Sequence, residues 1–367
     1  MQNSSFSIAV VEGDGIGPDV IGATIAVMEA ARARVGGFEL RYENHDAGAG
    51  YYAEHGQDMA PGAEDAVQEA DAILLGAIGL PAIRAEDGTE IAPHLRLREH
   101  MQLYAGVRPV KAYPNAPQKL ADPRAAEIDF VVLRESTEGL FYSASVHKRP
   151  QIANDDEVQD ILRITRPTTE KLHDFAFRLA RKRKDRGGRG HVTCVDKANV
   201  FRSMAFFREI FDERAKGFPD IEVGYNYVDA QALDLIRRPW EFDVMVMENM
   251  FGDILCDLGG GLVGGMGMAA CGEIGDSHGL FQPAHGSAPD IAGEDKANPL
   301  AAILSGALML DYLAEKSGAQ SLTDASLLIE QAVSEGFRKG RLRPMEFAGD
   351  QGTKALTDEL LQVITEI

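Results

Sequence analysis

The chain is poor in cysteine, poor in positive charge, and without any long apolar run. Cys194, Cys256 and Cys271 are the only cysteines in 367 residues. An odd number without paired spacing argues against a disulfide framework and against a zinc site, and it fits a reducing, cytoplasmic setting. No stretch is apolar for the roughly 18 residues a spanning helix needs, so no membrane partner is expected. Met1-Gln2-Asn3-Ser4-Ser5-Phe6 has neither the basic nor the apolar part of a signal peptide. Lysine and arginine number 37 against 57 aspartates and glutamates, a formal net charge of −20. The pI is near 4.9. Such a chain repels phosphate backbones, so nucleic acid is not an expected partner. An anionic ligand would need arginines gathered locally.

What the chain does have is alternating strand and helix patterns. Residues 7–11, 38–46, 72–75, 104–112, 128–133, 191–195, 221–228 and 242–247 read as strands. Helical patterns follow Pro18 to about residue 35, and cover 65–70, 167–183, 231–236, 298–316 and 322–339. Another opens at Ala92. This is an α/β chain with a largely parallel sheet, long enough for two domains. Polar residues 143–165 read as a projecting arm or hairpin. Glycine-rich 259–267 is a candidate hinge.

The most informative stretch is Asn249-Met250-Phe251-Gly252-Asp253-Ile254-Leu255-Cys256-Asp257-Leu258-Gly259. A helix puts Asp253 and Asp257 on one face, one turn apart. Either they form a solvated acidic face, or they hold a hard divalent cation such as Mg²⁺ or Mn²⁺. The apolar Phe251, Ile254, Leu255 and Leu258 argue against full solvation. Gly13-Asp14-Gly15-Ile16-Gly17-Pro18 follows the first strand, but its glycine spacing is not that of a dinucleotide fingerprint, and a tight turn is the better reading. Arg98, Arg108 and Arg134 each lie at an element edge. Together they suit a di- or tricarboxylate, which the guanidinium fork grips at two points. Lys197 and Asp229 follow strands at their C-terminal ends, where α/β sheets place sites. His285-Gly286-Ser287-Ala288-Pro289-Asp290-Ile291-Ala292-Gly293 is a small-residue loop that lets a ligand approach the backbone.

Four motifs, in order, carry a resemblance: Gly13 to Pro18, Val195-Asp196-Lys197-Ala198-Asn199, Asn249 to Asp257, and His285 to Gly293. The chain resembles the β-decarboxylating dehydrogenases, which include isopropylmalate, isocitrate, homoisocitrate and tartrate/D-malate dehydrogenases. The resemblance runs almost end to end. It implies a two-domain fold with a large mixed sheet flanked by helices, not a Rossmann fold. One domain is 1–103 plus 264–367, and the other is 104–263. It implies a homodimer whose active sites are shared. Asp253 and Asp257 then hold Mg²⁺ or Mn²⁺ with Asp229 from the partner subunit. Arg98, Arg108 and Arg134 bind substrate carboxylates, and Lys197 is the catalytic base, contributed across the dimer. Asn199 lies near the nicotinamide. Ile16, His285, Gly286, Ser287, Ala288, Asp290 and Asn298 fall on the cofactor side. Asp290 favours NAD over NADP, because an acid accepts from a ribose and repels a 2′-phosphate.

Two places depart from the family pattern. The usual acid is a tyrosine after the strand arginine. Ungapped counting puts Phe141 there and Tyr142 one residue on, so Tyr142 serves as the acid only if a bulge turns it inward. On the substrate-reading helix, Leu95 favours an apolar substituent and His94 a polar one. The leading expectation is NAD-dependent oxidative decarboxylation of a 3-substituted D-malate, with 3-isopropylmalate first. D-malate/tartrate and isocitrate/homoisocitrate are the alternatives. A non-catalytic regulatory subunit and a structural homodimer with a vestigial cleft are the competing classes.

Overall fold

The computed structural model describes residues 4–143 and 152–367. In chain order, the described residues form β1 (Ser4–Gly13), α1 (Gly17–Val35), β2 (Phe38–Asn44), α2 (Ala49–His55), α3 (Ala63–Glu69), β3 (Ala72–Ala77), α4 (Pro93–His100), β4 (Ala105–Lys111) and β5 (Asp129–Glu135). The short strands β6 (Ile152–Ala153) and β7 (Val158–Gln159) come next. After them are α5 (Arg166–Asp185), β8 (His191–Asp196), α6 (Arg202–Ala215), β9 (Glu222–Tyr227), α7 (Val228–Arg237), β10 (Val244–Met247) and α8 (Asn249–Leu262). The chain closes with β11 (Ala270–Ile274), β12 (Gly279–Pro283), α9 (Leu300–Ser317), α10 (Gln320–Arg338) and α11 (Thr353–Glu366).

Ten strands make one mixed sheet in the order β2-β1-β3-β12-β11-β4-β5-β10-β8-β9. Both flanks are parallel, and the middle, β12-β11-β4-β5, is antiparallel. β3 and β10 are apolar and buried along their whole length, as strands covered by helices on both faces must be. Alternate residues of β5 and β10 serve two cores. Val131, Leu133, Val244 and Val246 pack with Phe177, Phe207 and Phe211. Phe130, Val132, Met245 and Met247 pack with Leu255 and Leu262 of α8 on the other face. A third core joins α1, α9, α10 and α11 over β1 and β2, through Phe6, Val27, Leu304, Ile329 and Leu360 among others. Strands of 104–263 meet strands of the two chain ends at the β4–β11 pair.

The middle of the sheet is where the sequence pattern is silent. β11 and β12 read Ala-Cys-Gly-Glu-Ile and Gly-Leu-Phe-Gln-Pro, with one β-branched residue between them, yet they occupy central positions. α2 also lacks a clear signal, whereas α11 has one that the reading above left out: Leu356, Leu360, Val363 and Ile364 at helical spacing, all buried. Arg134, placed by sequence at a strand end, lies within β5. The glycines at 259–261 are the last turns of α8, not a hinge loop. The hairpin β6–β7 falls in the expected arm; residues 144–151 of that arm lie outside the described residues. Among the described residues no helix is long and apolar enough to cross a membrane.

Candidate active site

The antiparallel middle of the sheet builds the floor of the site. Arg134 on β5 stands opposite Gly106 on β4, and Gly106 stands opposite Glu273 on β11. No side chain separates the two, and Arg108, two residues beyond Gly106, faces the same way. Arg98 reaches the same place from α4. All three arginines and Glu273 are buried. Arg108 Nη2 donates to Glu273 Oε1 at 2.9 Å, and Arg98 Nη2 lies 3.2 Å from the same oxygen. Burial pushes the Glu273 carboxyl up, but Arg98, Arg108 and Arg134 outweigh it and bring it down to about 2. Glu273 is therefore a carboxylate beneath three guanidinium groups.

A cavity of about 250 Å³ opens over this floor. The three arginines and Asp253 line it, with His94, Leu95 and Phe141, and with Gln282, His285 and Gly286. Five buried atoms of this lining have no hydrogen-bond partner: Arg98 Nε, Arg108 Nε, His94 Nδ1, Gln282 Oε1 and His285 Nε2. Buried polar atoms are rarely left so, and a polar ligand would satisfy them. Cavities of about 570 and 760 Å³ elsewhere are lined by no residue with an unpartnered buried atom, and one of about 360 Å³ beside Asp14 and Asn44 by a single such residue, His45.

Helix α8 sets the acids beside the arginines. Glu248 caps it, accepting through Oε2 from Met250 N at 3.1 Å and Phe251 N at 3.2 Å. Its Oε1 accepts from Leu140 N at 3.0 Å, which ties the segment carrying Phe141 to the same helix end. A Cβ on Gly252 would fall 2.6 Å from Arg134 Cβ, so only glycine lets α8 press against β5 here. Arg134 Nε donates to Asn249 Oδ1 at 2.9 Å, and its Nη1 pairs with the Asp253 carboxylate. Asp253 is half-exposed and Asp257 exposed, both on one side of α8. The Cys256 thiol between them lies 3.4 Å from Asp257 Oδ1.

Lys197 and Asp229 do not join this cavity within one chain. They pair with each other, Nζ to Oδ1 at 2.6 Å, beyond β8 and at the start of α7. That pairing lowers the Asp229 carboxyl. Asn199 is exposed beside them. Among the described residues of a single chain, no group of three or more His, Cys, Asp or Glu is placed to hold a metal ion. Phe201, Leu233, Ile236 and Ile254 are large apolar side chains left exposed on neighbouring segments.

The aromatic pair divides. A 3₁₀ turn spans Leu140–Ser143. The Phe141 ring lies 5.0 Å from the Arg134 guanidinium, and the Tyr142 ring lies 4.8 Å from that of Arg163. Phe141 faces the cavity and Tyr142 does not line it; no bulge turns Tyr142 inward.

The loop after β12 rests on the glycine turn of residues 13–18. Ile16 N donates to Ser287 O at 2.8 Å, and the Ile16 side chain is buried with Val20, Ala297 and Ala302. Its side chain thus supports the loop from below. Gly15 has φ +59°, and a Cβ there would fall 2.0 Å from Ser287 O. Ser287 is buried, its Oγ donating to Gly79 O. Asp14 accepts from Ala49 N and Gly50 N at 2.8 Å and from Gly79 N at 2.7 Å, holding three chain segments together. Ala288 is left-handed at φ 36°, and Asp290 is exposed. Asn298 is buried; its Nδ2 donates to Glu346 at 2.9 Å and its Oδ1 accepts from Leu300 N at 3.2 Å. Sequence reasoning passed over Glu273, Gln282, Asp14 and Glu248. For Glu273 the signal was there: one acid inside the otherwise apolar Ala270-Cys271-Gly272-Glu273-Ile274.

The sequence model of the family described as isocitrate/isopropylmalate dehydrogenase matches residues 7–364. The 3-isopropylmalate/3-methylmalate dehydrogenase of Methanocaldococcus jannaschii is 38% identical over 360 residues, covering 98% of this chain and 99% of the relative. The 3-isopropylmalate dehydrogenase of Moorella thermoacetica is 38% identical over 346 residues, covering 92% of each chain. Among solved structures, the isocitrate dehydrogenase of Methylococcus capsulatus aligns with a TM-score of 0.83 at 33% identity, covering 98% of this chain and 99% of that one. A β-decarboxylating dehydrogenase of Thermococcus kodakarensis aligns at 0.76 and 33%, covering 98% and 96%.

Proposed function

The chain belongs to the isocitrate/isopropylmalate dehydrogenase family, and we propose that it carries out the NAD-dependent oxidative decarboxylation of a 3-substituted D-malate, with 3-isopropylmalate the first substrate to test. The observation that carries this reading is the cavity floor. Three buried guanidiniums meet one buried carboxylate, Glu273, and the half-exposed carboxylate of Asp253, which pairs with Arg134, so the floor keeps a net positive charge. A carboxylate of the substrate balances it. Relatives named for 3-isopropylmalate and the apolar Leu95 in the lining favour that substrate over D-malate/tartrate and isocitrate/homoisocitrate.

Asp253 and Asp257 offer hard oxygen donors on one open side of α8, which fits Mg²⁺ or Mn²⁺, with Asp229 of the partner subunit as a third ligand. When bound, the cation polarises the substrate's hydroxyl and carbonyl oxygens, and NAD accepts the hydride. The loop of His285, Gly286, Ser287, Ala288 and Asp290 is assigned to NAD. Asp290 is exposed there, where a carboxylate accepts from a ribose and repels a 2′-phosphate. Arg98, Arg108 and Arg134 hold the carboxylates. Lys197 takes the proton of the 2-hydroxyl as the C2 hydride leaves. The bond from C3 to its carboxylate then breaks, CO₂ departs, and the electron pair passes into the enolate. Lys197 can return the proton to C3, since the residue facing the cavity, Phe141, has none to give.

This chemistry needs a homodimer with shared sites. Lys197 and Asp229 sit outside the cavity of their own chain, and the exposed Leu233, Ile236 and Ile254 offer an apolar surface for a second copy. The cleft falls between the 1–103 plus 264–367 part and the 104–263 part. Three buried, unpaired thiols suit a cytoplasmic setting. The test is formation of reduced nicotinamide by the purified chain with Mn²⁺, across isopropylmalate, D-malate, tartrates, isocitrate and homoisocitrate. Turnover of isopropylmalate is expected. Silence across the panel with NAD still bound would sink the reading in favour of a regulatory subunit.

A further inference from the structure

We propose that a crevice behind the cavity floor binds a second ligand: a small zwitterion with an apolar side chain, the chemistry of a free branched-chain α-amino acid. Arg108 lines the active-site cavity, so its neighbours Val107 and Pro109 on β4 face the other side of the sheet. There they line a separate cavity of about 290 Å³, close to the lower end of the roughly 300–1,000 Å³ usual for small-molecule sites. α5 contributes Leu179 to its wall, and α9 contributes Leu304 and Leu308. Leu327 of α10 belongs to the same lining and is left exposed.

The charges of this lining narrow the class. Asp311 pairs with Lys182 at 2.8 Å and with Arg186 at 3.0 Å, and Arg183 pairs with Asp129 at 3.0 Å. Lys111 of β4 and Glu330 of α10 are left over. Both are partly buried, and among the described residues neither has an ion pair or a hydrogen bond. Burial raises the Glu330 carboxyl above its ordinary value, and the opposing pull of the Lys111 charge does not cancel it. The crevice therefore holds one unpaired acid and one unpaired base beside an apolar wall. An α-ammonium answers Glu330 and an α-carboxylate answers Lys111, so every charge that is buried is also paired. An aliphatic side chain covers the leucines. A simple cation or a simple anion would leave one of the two groups as it is.

The experiment is calorimetric titration of the full chain with L-leucine and with probes that each lack one feature. Glycine lacks the apolar side chain, 4-methylpentanoate the ammonium, and 3-methylbutylamine the carboxylate. Leucine should bind, and each probe should bind at least about tenfold more weakly. Glu330→Gln and Lys111→Met, with melting as the check that each folds, should each weaken leucine by at least about tenfold. Isopropylmalate with Mn²⁺ should not displace leucine, because the arginines lie on the other face of the sheet. Absence of leucine binding, displacement by isopropylmalate, a probe that binds as tightly as leucine, or an affinity unmoved in both variants would overturn the proposal. The inference stands apart from the dehydrogenase reading: if isopropylmalate itself does not bind, that reading fails, and the probes and the two variants still decide this one.

Discussion

Arg108 Nη2 donates to Glu273 Oε1 at 2.9 Å beneath the floor of the cavity. The two residues come from β4 and β11, which are 165 positions apart in sequence and adjacent in the sheet. The pair explains how three arginines are buried together in a chain that must keep them charged. Unopposed, they would repel one another and lose hydration. With Glu273 among them they stay fixed, and the floor keeps a net positive charge for an anion.

Glu273→Gln keeps the shape and removes the charge, leaving Arg98 and Arg108 buried without their counter-ion. Breaking such a pair costs on the order of 3 kcal/mol, so the melting temperature at pH 7 should drop by several degrees. The sign with pH follows from the folded carboxyl lying near 2 against an ordinary 4.5. The stabilisation is full above about pH 4.5 and is lost as pH falls toward 2. The stability gap between wild type and variant should narrow over that window. A gap that stays constant from pH 7 to pH 3 would contradict the assignment.

The proposed sharing of sites between two chains predicts complementation. Lys197→Ala and Asp253→Asn homodimers should each lose turnover by about 10³-fold. Unfolded and refolded together in equal amounts, they form mixed dimers in which one of two sites takes an intact Lys197 from one chain and an intact Asp253 from the other. Activity should then return to roughly a quarter of wild type, from half the dimers with half their sites. A mixture as inactive as its parents would place both residues in the same chain's site.

Asp290 faces solvent on the loop assigned to the cofactor. Asp290→Lys should lower kcat/KM for NAD about tenfold and raise it for NADP, because the substitution exchanges a ribose acceptor for a cation beside a 2′-phosphate. Initial rates with the two cofactors decide it. An unaltered NAD-to-NADP ratio would remove Asp290 from the cofactor site.

His173 is fully buried, edge-on to Phe207 and Phe211 with centroids 4.5 and 5.3 Å away, and neither ring nitrogen is bonded. Burial, then Arg214, push it down to about 3. The unfolded chain protonates near 6.5, so stability is full above that pH and falls as pH drops toward 3, by up to about 1.4 kcal/mol per unit. Glu135 works the other way, since burial raises its carboxyl to about 7. That contribution is common to both proteins, so the difference between wild type and His173→Leu isolates the histidine. Urea unfolding at pH 7 and pH 5 should show wild type losing more stability than the variant; equal losses would rule the effect out.

The parts of this protein legible in its sequence are those specified locally. Apolar runs such as Val244–Met247 became buried strands, and the i,i+4 spacing of Asp253 and Asp257 became one side of α8, because both follow from backbone periodicity. The glycine run at 13–17 read as a tight turn for the same reason. What only the tertiary structure decided depends on neighbours far apart in sequence. β11 and β12 have little strand propensity and are held in the sheet by their neighbours. Glu273 matters because Gly106 leaves the space beside it open. Phe141 and Tyr142 are sorted by the Glu248 cap and the turn it fixes, and His94 and Gln282, each with a partnerless buried atom, line one cavity only because α4 and β12 both border it. Local patterns record which residues can face a site, whereas packing across the sheet determines which of them do.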